Sequence, residues 1–205
     1  MNILIAGATG NTGLRLVDQL KSNGHSPIAL VRESSDTKSL PDDVTLRQGD
    51  LTDLQDGVCN GCDAVIFAAG SGGSTGPEMT DKVDRDGAKR LIDLAAAAGV
   101  SRFVMLSSAG ADDPDPGSDL AHYLQAKHEA DEHLKASGLS YAIIRPVSLT
   151  DDDGHRDMRF GDEVDPQGKA ARGDVAAVLA NAVDDSEWTG KALLMQSVMA
   201  GAGRS

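Results

Sequence analysis

Ile3-Leu4-Ile5-Ala6-Gly7-Ala8-Thr9-Gly10-Asn11-Thr12-Gly13 is the stretch on which the fold turns. Its opening residues, Ile3 to Ala6, form a short apolar run, the mark of a strand buried on both faces. Three glycines follow, Gly7, Gly10 and Gly13, and then Leu14, Leu16, Val17 and Leu20 repeat with helical spacing. Strand, glycine turn and helix N-terminus together form an anion seat. Backbone N–H groups and the positive end of the helix dipole point at one place there. A Cβ in such a turn would block the bend and the close approach of phosphate. The expected ligand is a dinucleotide, with its pyrophosphate on Gly7, Thr9, Gly10, Asn11, Thr12 and Gly13.

Outward from this motif, strands and helices alternate. The runs Ile3–Ala6, Pro27–Val31, Val44–Arg47, Ala64–Ala68, Phe103–Leu106, Tyr141–Ile144 and Ala192–Met195 read as strands. Helical patterns lie near 12–23, 51–58, 80–98, 118–137 and 173–184. Gly24, Gly99 and Gly138 stand where helices end, and Thr80 and Ser118 stand as N-caps. The pattern predicts an α/β fold, a doubly wound parallel sheet of about seven strands with helices on both faces. Residues 1–205 are expected to form one such domain. The polar stretch 149–172 follows a strand's carboxyl end, where ligands bind in open sheets, and is expected to serve as a lid or small substrate lobe.

Composition sets limits. The 205 residues carry 32 acidic against 19 basic side chains, a formal charge of -13. Such a polyanion repels nucleic acid and anionic membranes. Aspartate dominates the acids, which fits either a surface adapted to high salt or ordinary solubility. No apolar run reaches membrane-spanning length and no basic, apolar leader opens the chain, so a cytoplasmic protein is expected. The two cysteines, Cys59 and Cys62, form a C-x-x-C without a second pair. They read as small apolar residues at a helix-to-strand corner, with redox chemistry as the rival. No metal site is expected.

Arg32 ends the second strand, about 19 residues beyond Gly13. A carboxylate there binds a ribose 2′-hydroxyl, whereas an arginine accommodates a 2′-phosphate. NADP(H) is therefore favoured over NAD(H), although Glu33 is adjacent. Ser107 and Ser108 end the fifth strand, and Tyr123 and Lys127 follow at i and i+4, on one helix face. A phenol titrates near 10, and a neighbouring ammonium favours its ionised form. Such a pair can supply a proton to an oxygen while a serine hydroxyl holds it. The competing reading is a surface pair in which Lys127 only binds ribose.

The G-x-x-G-x-x-G motif, the Arg32 position, the serine and Tyr123-x-x-x-Lys127 together resemble the atypical short-chain dehydrogenase/reductase superfamily. The resemblance runs over nearly the whole chain and is closest to its small members, the nitrogen-metabolite-repressor-like and biliverdin-reductase-B-like groups, often named epimerase/dehydratase. It implies a Rossmann fold and a catalytic set of Ser108, Tyr123 and Lys127, with Ser108 preferred over Ser107. It also implies that Asp50 and Leu51 contact adenine, although Asp50 could equally cap a helix. Ala68, Ala69 and Gly70 would let the cofactor lie on the backbone, and Lys127 would also bind ribose. Pro146 and Val147, after Arg145, would face the nicotinamide amide. Asp174 is expected to cap a helix.

The resulting expectation is an oxidoreductase that transfers hydride from NADP(H) to a small carbonyl, quinone or flavin-like acceptor, as a monomer or small homo-oligomer. Two alternatives remain at this level. One is a non-enzymatic NADP(H) sensor. The other is a sugar-nucleotide epimerase or dehydratase, which usually needs a larger lobe after the sixth strand than this chain provides.

Overall fold

The computed structural model describes residues 1–71 and 76–198. The glycine-turn strand β1 (Asn2–Ala6) leads into helix α1 (Asn11–Ser22). Strands β2 (Ser26–Val31), β3 (Thr45–Gln48), β4 (Ala64–Phe67), β5 (Arg102–Leu106) and β6 (Tyr141–Pro146) follow. Between β4 and β5 runs a helix in three parts: α2 (Pro77–Thr80), a π-helical stretch (Asp81–Gly87) and α3 (Ala88–Ala97). Helix α4 (Ala121–Ala136) joins β5 to β6. Beyond β6 come short strands β7 (Ser148–Thr150), β8 (Met158–Phe160) and β9 (Lys169–Ala171), then α5 (Arg172–Asn181) and β10 (Lys191–Ser197).

Among the described residues the main sheet has eight strands in the order β3-β2-β1-β4-β5-β6-β10-β8, and β7 pairs with β9 apart from it. All its pairings are parallel except β10 with β8. The sheet reverses direction of growth between β1 and β4, the switch point at which doubly wound folds bind ligands. This is the expected Rossmann-type fold, with one strand more than expected.

Alternation along each strand divides the core. Ile3, Ile5, Ile66 and Val104 face α1 and α5, packing with Leu16, Leu20 and Leu179. Leu4, Val65, Phe67, Phe103 and Met105 face the other way, against Leu91, Ile92 and Leu134. Each buried side chain of this size contributes about 1.5–3 kcal/mol. Both faces of the central strands are dry, which is why these strands read as continuous apolar runs.

Several sequence expectations need correction. No helix forms over 51–58. Asp50 Oδ1 instead accepts from Thr52 N at 2.9 Å and Thr52 Oγ1 at 2.8 Å, and Gly57 turns at φ +83°, so the segment is a series of turns. Asp50 therefore caps no helix there. Thr80 lies inside the helical run that begins at Pro77 and is no cap. Ser118 Oγ accepts from Leu120 N at 3.1 Å, forming a turn just ahead of α4, whose cap position is Leu120. Asp174 sits within the first turn of α5, whose cap position is Ala171. The 149–172 stretch carries β8, β9 and most of β7. Gly24, Gly99 and Gly138 do take the left-handed conformation of helix ends.

Cys59 and Cys62 are both free thiols. Burial, with Cys62 nearby, pushes the Cys59 thiol up to about 12. Arg47 Nη1 donates to Cys62 Sγ at 3.0 Å. A thiol so hard to ionise is a poor nucleophile, in keeping with a packing role. Among the described residues no helix is long and apolar enough to cross a membrane, and no cluster of metal-ligating side chains occurs.

Candidate active site

Two clefts meet above the carboxyl ends of β1, β4 and β5. The larger, about 670 Å³, is lined by residues that include Gly10, Asn11, Thr12, Ser107, Tyr123, Lys127 and Arg172. The other, about 480 Å³, is lined by Gly7, Thr9, Arg32, Asp50, Leu51 and neighbours. Gly10, Ala68, Ala69, Gly70 and Ser71 line both, so the two are halves of one trough.

The glycines test whether a dinucleotide fits this trough. Gly7 has φ +89°, and a Cβ on it would lie 2.6 Å from Ala69 N. A Cβ on Gly13 would lie 2.0 Å from Gly7 O. Those two are demanded by the fold itself, which presses β1, β4 and α1 together. Gly10 differs: its Cβ would meet only Gly7 O, at 3.4 Å, an ordinary contact. The space beside Gly10 opens into the trough. Gly10 also caps α1 with no side-chain hydrogen bond, and α1 has no acid in its first turn. The helix N-terminus thus keeps its positive character for a ligand. These features fit a pyrophosphate at the middle of the trough.

At one end, Arg32 is exposed, and its backbone N–H donates to Ser35 Oγ at 3.0 Å. Asp50 lines the same cleft. The Thr52 backbone holds the Asp50 carboxyl below the usual aspartate range, against the opposing effect of burial, and the Thr52 hydroxyl and the Arg32 charge add to the lowering. An anionic Asp50 is a ready acceptor for an amino group.

At the other end, α4 presents Tyr123, half-buried, and Lys127, buried one turn on. Lys127 Nζ lies 5.7 Å from the Tyr123 ring centroid and 5.6 Å from that of Phe67. Behind it stands Asp84, fully buried, with Oδ1 at 3.0 Å. Asp84 Oδ2 accepts from Ser71 N at 2.9 Å. Burial by itself would lower the Lys127 pKa, but Tyr123, Asp84 and Asp131 outweigh it and hold the ammonium above its ordinary range. Lys127 is therefore charged at neutral pH, with its charge set behind the phenol.

Asp84 was not among the residues singled out from sequence. It lies in the π-helical stretch, where its carboxylate meets Lys127 and the backbone of Ser71 at the edge of the cleft. A signal existed: Asp84 lies on the helical stripe of Thr80, Ala88 and Leu91, all buried. An acid on a buried stripe needs a partner.

The serine also differs from expectation. Ser107, not Ser108, is on the cleft wall. Ser107 Oγ donates to Asp131 Oδ2 at 2.8 Å, and Arg145 Nε donates to the same oxygen at 3.0 Å. Burial lifts the Asp131 carboxyl above its usual range despite Arg145, Ser107 and Lys127. With its proton turned to Asp131, Ser107 offers lone pairs to the cleft and accepts hydrogen bonds from a ligand. Ser108 Oγ instead donates to Ala109 O at 3.3 Å.

Pro146 and Val147 line neither cleft. Pro146 O accepts from Ala109 N at 3.0 Å, and Val147 N donates to Met195 O at 3.0 Å, so both serve the sheet. Gly13 is buried in α1, close to the trough but off its wall. Leu120 and His122, not singled out from sequence, also line the larger cleft, as do Leu149 and Arg172 at the two ends of the 149–172 stretch. His122 Nε2 pairs with Asp81 Oδ1 at 3.0 Å, tying α4 to the π-helical stretch at the rim. Leu120 and Leu149 are exposed apolar side chains, which gives the rim an apolar character.

Comparison with known proteins agrees with this trough. A family model described as NAD(P)H-binding matches residues 7–186. The uncharacterized sugar epimerase YhfK of Bacillus subtilis is 37% identical over 200 residues, covering 94% of this chain and 92% of that protein. A provisionally named NAD-dependent epimerase/dehydratase structure from Bacillus halodurans superposes with a TM-score of 0.90 at 35% identity, over 97% of this chain and 94% of that one. The oxidoreductase ylbE from Lactococcus lactis gives 0.84 at 30% identity, over 97% and 91%. The site, the sheet order and these similarities lead to one conclusion: the chain belongs to the NAD(P)H-binding family, among small Rossmann proteins of the atypical short-chain dehydrogenase/reductase type.

Proposed function

We propose that the protein is an NADP(H)-dependent oxidoreductase that reduces a small carbonyl, quinone or flavin-like acceptor. The observation that carries this reading is Tyr123 on the cleft wall with a charged Lys127 fixed behind it by Asp84. When bound, the nicotinamide supplies a hydride. Tyr123 holds the proton that the acceptor's oxygen takes up, and Lys127 stabilises the negative charge left on the phenol. Ser107, its proton engaged by Asp131, accepts a hydrogen bond from an N–H or O–H group of the bound cofactor and so helps to orient it. The apolar rim of Leu120 and Leu149 favours an acceptor with an apolar body and excludes water from the reacting face. Arg32, with Ser35 beside it, supports NADP(H) over NAD(H), because a guanidinium pairs with a 2′-phosphate.

The test is NADPH oxidation with a panel of quinones, dicarbonyls and flavins. Tyr123→Phe is expected to abolish turnover and leave cofactor affinity nearly unchanged. Arg32→Ala is expected to weaken NADPH about tenfold and NADH little, since a charge-assisted contact is worth about 1.5–3 kcal/mol. Full activity in Tyr123→Phe, or no NADPH consumption with any acceptor, overturns the enzymatic reading. Tight binding without turnover would then favour a sensor.

A further inference from the structure

The chain that leaves β6 and β7 passes over the N-terminal end of α1, beside the trough. Asp151 Oδ1 accepts from Arg172 Nε at 2.7 Å and from Asn11 Nδ2 at 3.1 Å. Arg172 Nη1 also donates to Thr12 Oγ1 at 3.2 Å. Arg15 Nη2 donates to Asp151 O at 2.5 Å, and Arg15 Nε to Asp153 Oδ1 at 2.8 Å. One of the chain's own carboxylates therefore sits on Asn11 and Arg172, both on the wall of the larger cleft with Gly10 and Thr12.

This crossing strap is anchored from below. Gly173 N donates to Asp152 O at 3.1 Å, and a Cβ on Gly173 would lie 2.1 Å from Asp153 O. Gly154 turns at φ +70°, and a Cβ there would lie 2.1 Å from Asp174 Cγ. Arg156, at φ +64°, donates to the buried Asp174 Oδ1 from its backbone N at 2.9 Å and from Nη1 at 3.0 Å. The strap's backbone is fixed to α5, while the Asp151 side chain is 72% exposed. Arg172 itself is only 26% exposed, so water reaches the pair from the Asp151 side, and it is the carboxylate that can swing away at small cost.

We propose that Arg172 binds the pyrophosphate of the dinucleotide, and that Asp151 is a built-in competitor that holds the guanidinium until phosphate displaces it. This rests on the reading of the trough as the cofactor seat. Guanidinium matches phosphate oxygens in a bidentate geometry, and the glycine turn adds its N–H groups on the other side. A single carboxylate cannot reproduce both sets of contacts, so the pyrophosphate wins. A simple anion that meets Arg172 alone does not. An internal competitor lowers apparent affinity by the fraction of time it occupies the site.

The experiment is calorimetric titration of NADPH, ADP-ribose and AMP into the unmodified protein and into Asp151→Asn, Arg172→Gln, the double variant and Asp152→Asn. Turnover is not needed. Asp151→Asn is expected to tighten NADPH and ADP-ribose about threefold or more, with AMP unchanged, since AMP carries no pyrophosphate. Arg172→Gln is expected to weaken NADPH and ADP-ribose about tenfold. The double variant is expected to bind like Arg172→Gln alone. Asp152→Asn, which removes the same charge from the neighbouring position, is expected to change little. The proposal is overturned if Asp151→Asn matches Asp152→Asn, if AMP responds like ADP-ribose, or if the double variant binds more tightly than Arg172→Gln. If the unmodified protein binds neither NADPH nor ADP-ribose, the cofactor reading falls as well. Binding that ignores Arg172 and Asp151 overturns this proposal alone.

Discussion

Single residues of the glycine turn divide into two kinds. Gly13 has no room for a methyl group, because Gly7 O lies where its Cβ would stand. Gly10 has that room on the protein side and faces the trough. Gly13→Ala is therefore expected to cost more than about 3 kcal/mol, as forced overpacking against backbone does. Gly10→Ala is expected to cost about 1 kcal/mol or less, the scale of a weakened helix cap, while NADPH affinity falls at least tenfold. Chemical denaturation and fluorescence titration of the two variants separate these outcomes. A Gly10→Ala protein that binds NADPH normally would remove the pyrophosphate from this position. The motif was legible in sequence, but the division of labour within it was not, since it depends on how closely Ala69 and Gly7 approach.

At the scale of elements, the π-helical stretch contributes the acid that holds Lys127. It brings Asp84 to Lys127, two buried charges from different helices. Removing one partner of such a pair leaves the other uncompensated, at about 3–5 kcal/mol. Lys127→Met is accordingly expected to lower stability by that amount, and the double variant Asp84→Asn with Lys127→Met to recover much of it. A urea unfolding series measures this, and additive losses would mean the two charges are not coupled. Activity lost in Lys127→Met must be read on folded protein. The long central strands were readable as apolar runs because both their faces are covered. Strands β7, β8 and β9 were not, because three residues are too few to show a period. Helix 51–58 was expected from its pattern and lost to the side chain of Asp50, which offers the backbone a turn instead. The preference between Ser107 and Ser108 turned on which side of the strand end faces the cleft, and sequence alone gave no lever on that.

Across the whole molecule, the formal charge of -13 is spread over a surface whose carboxylates repel one another. Ion pairs such as Arg90–Asp56 and Lys135–Glu132 are already counted in that net figure, so an excess of 13 carboxylates is left uncompensated. Screening is expected to raise the unfolding midpoint between low and molar potassium chloride. A flat or falling midpoint in a thermal scan would show that this repulsion is unimportant to stability. The sheet order has a different bearing. Strand β10 lies between β6 and β8, and among the described residues β8 has no other neighbour in the main sheet. Its Ser197 Oγ accepts from Ala171 N at 2.9 Å and donates to Asp174 Oδ2 at 2.7 Å, the carboxylate that anchors Arg156. A growing chain emerging from the ribosome can therefore assemble β1 to β6 early, but residues 148–171 have no complete scaffold until 191–197 have been made. The part of the larger cleft wall that Leu149 and Arg172 supply would thus close after the part lined by residues of β1 to α4.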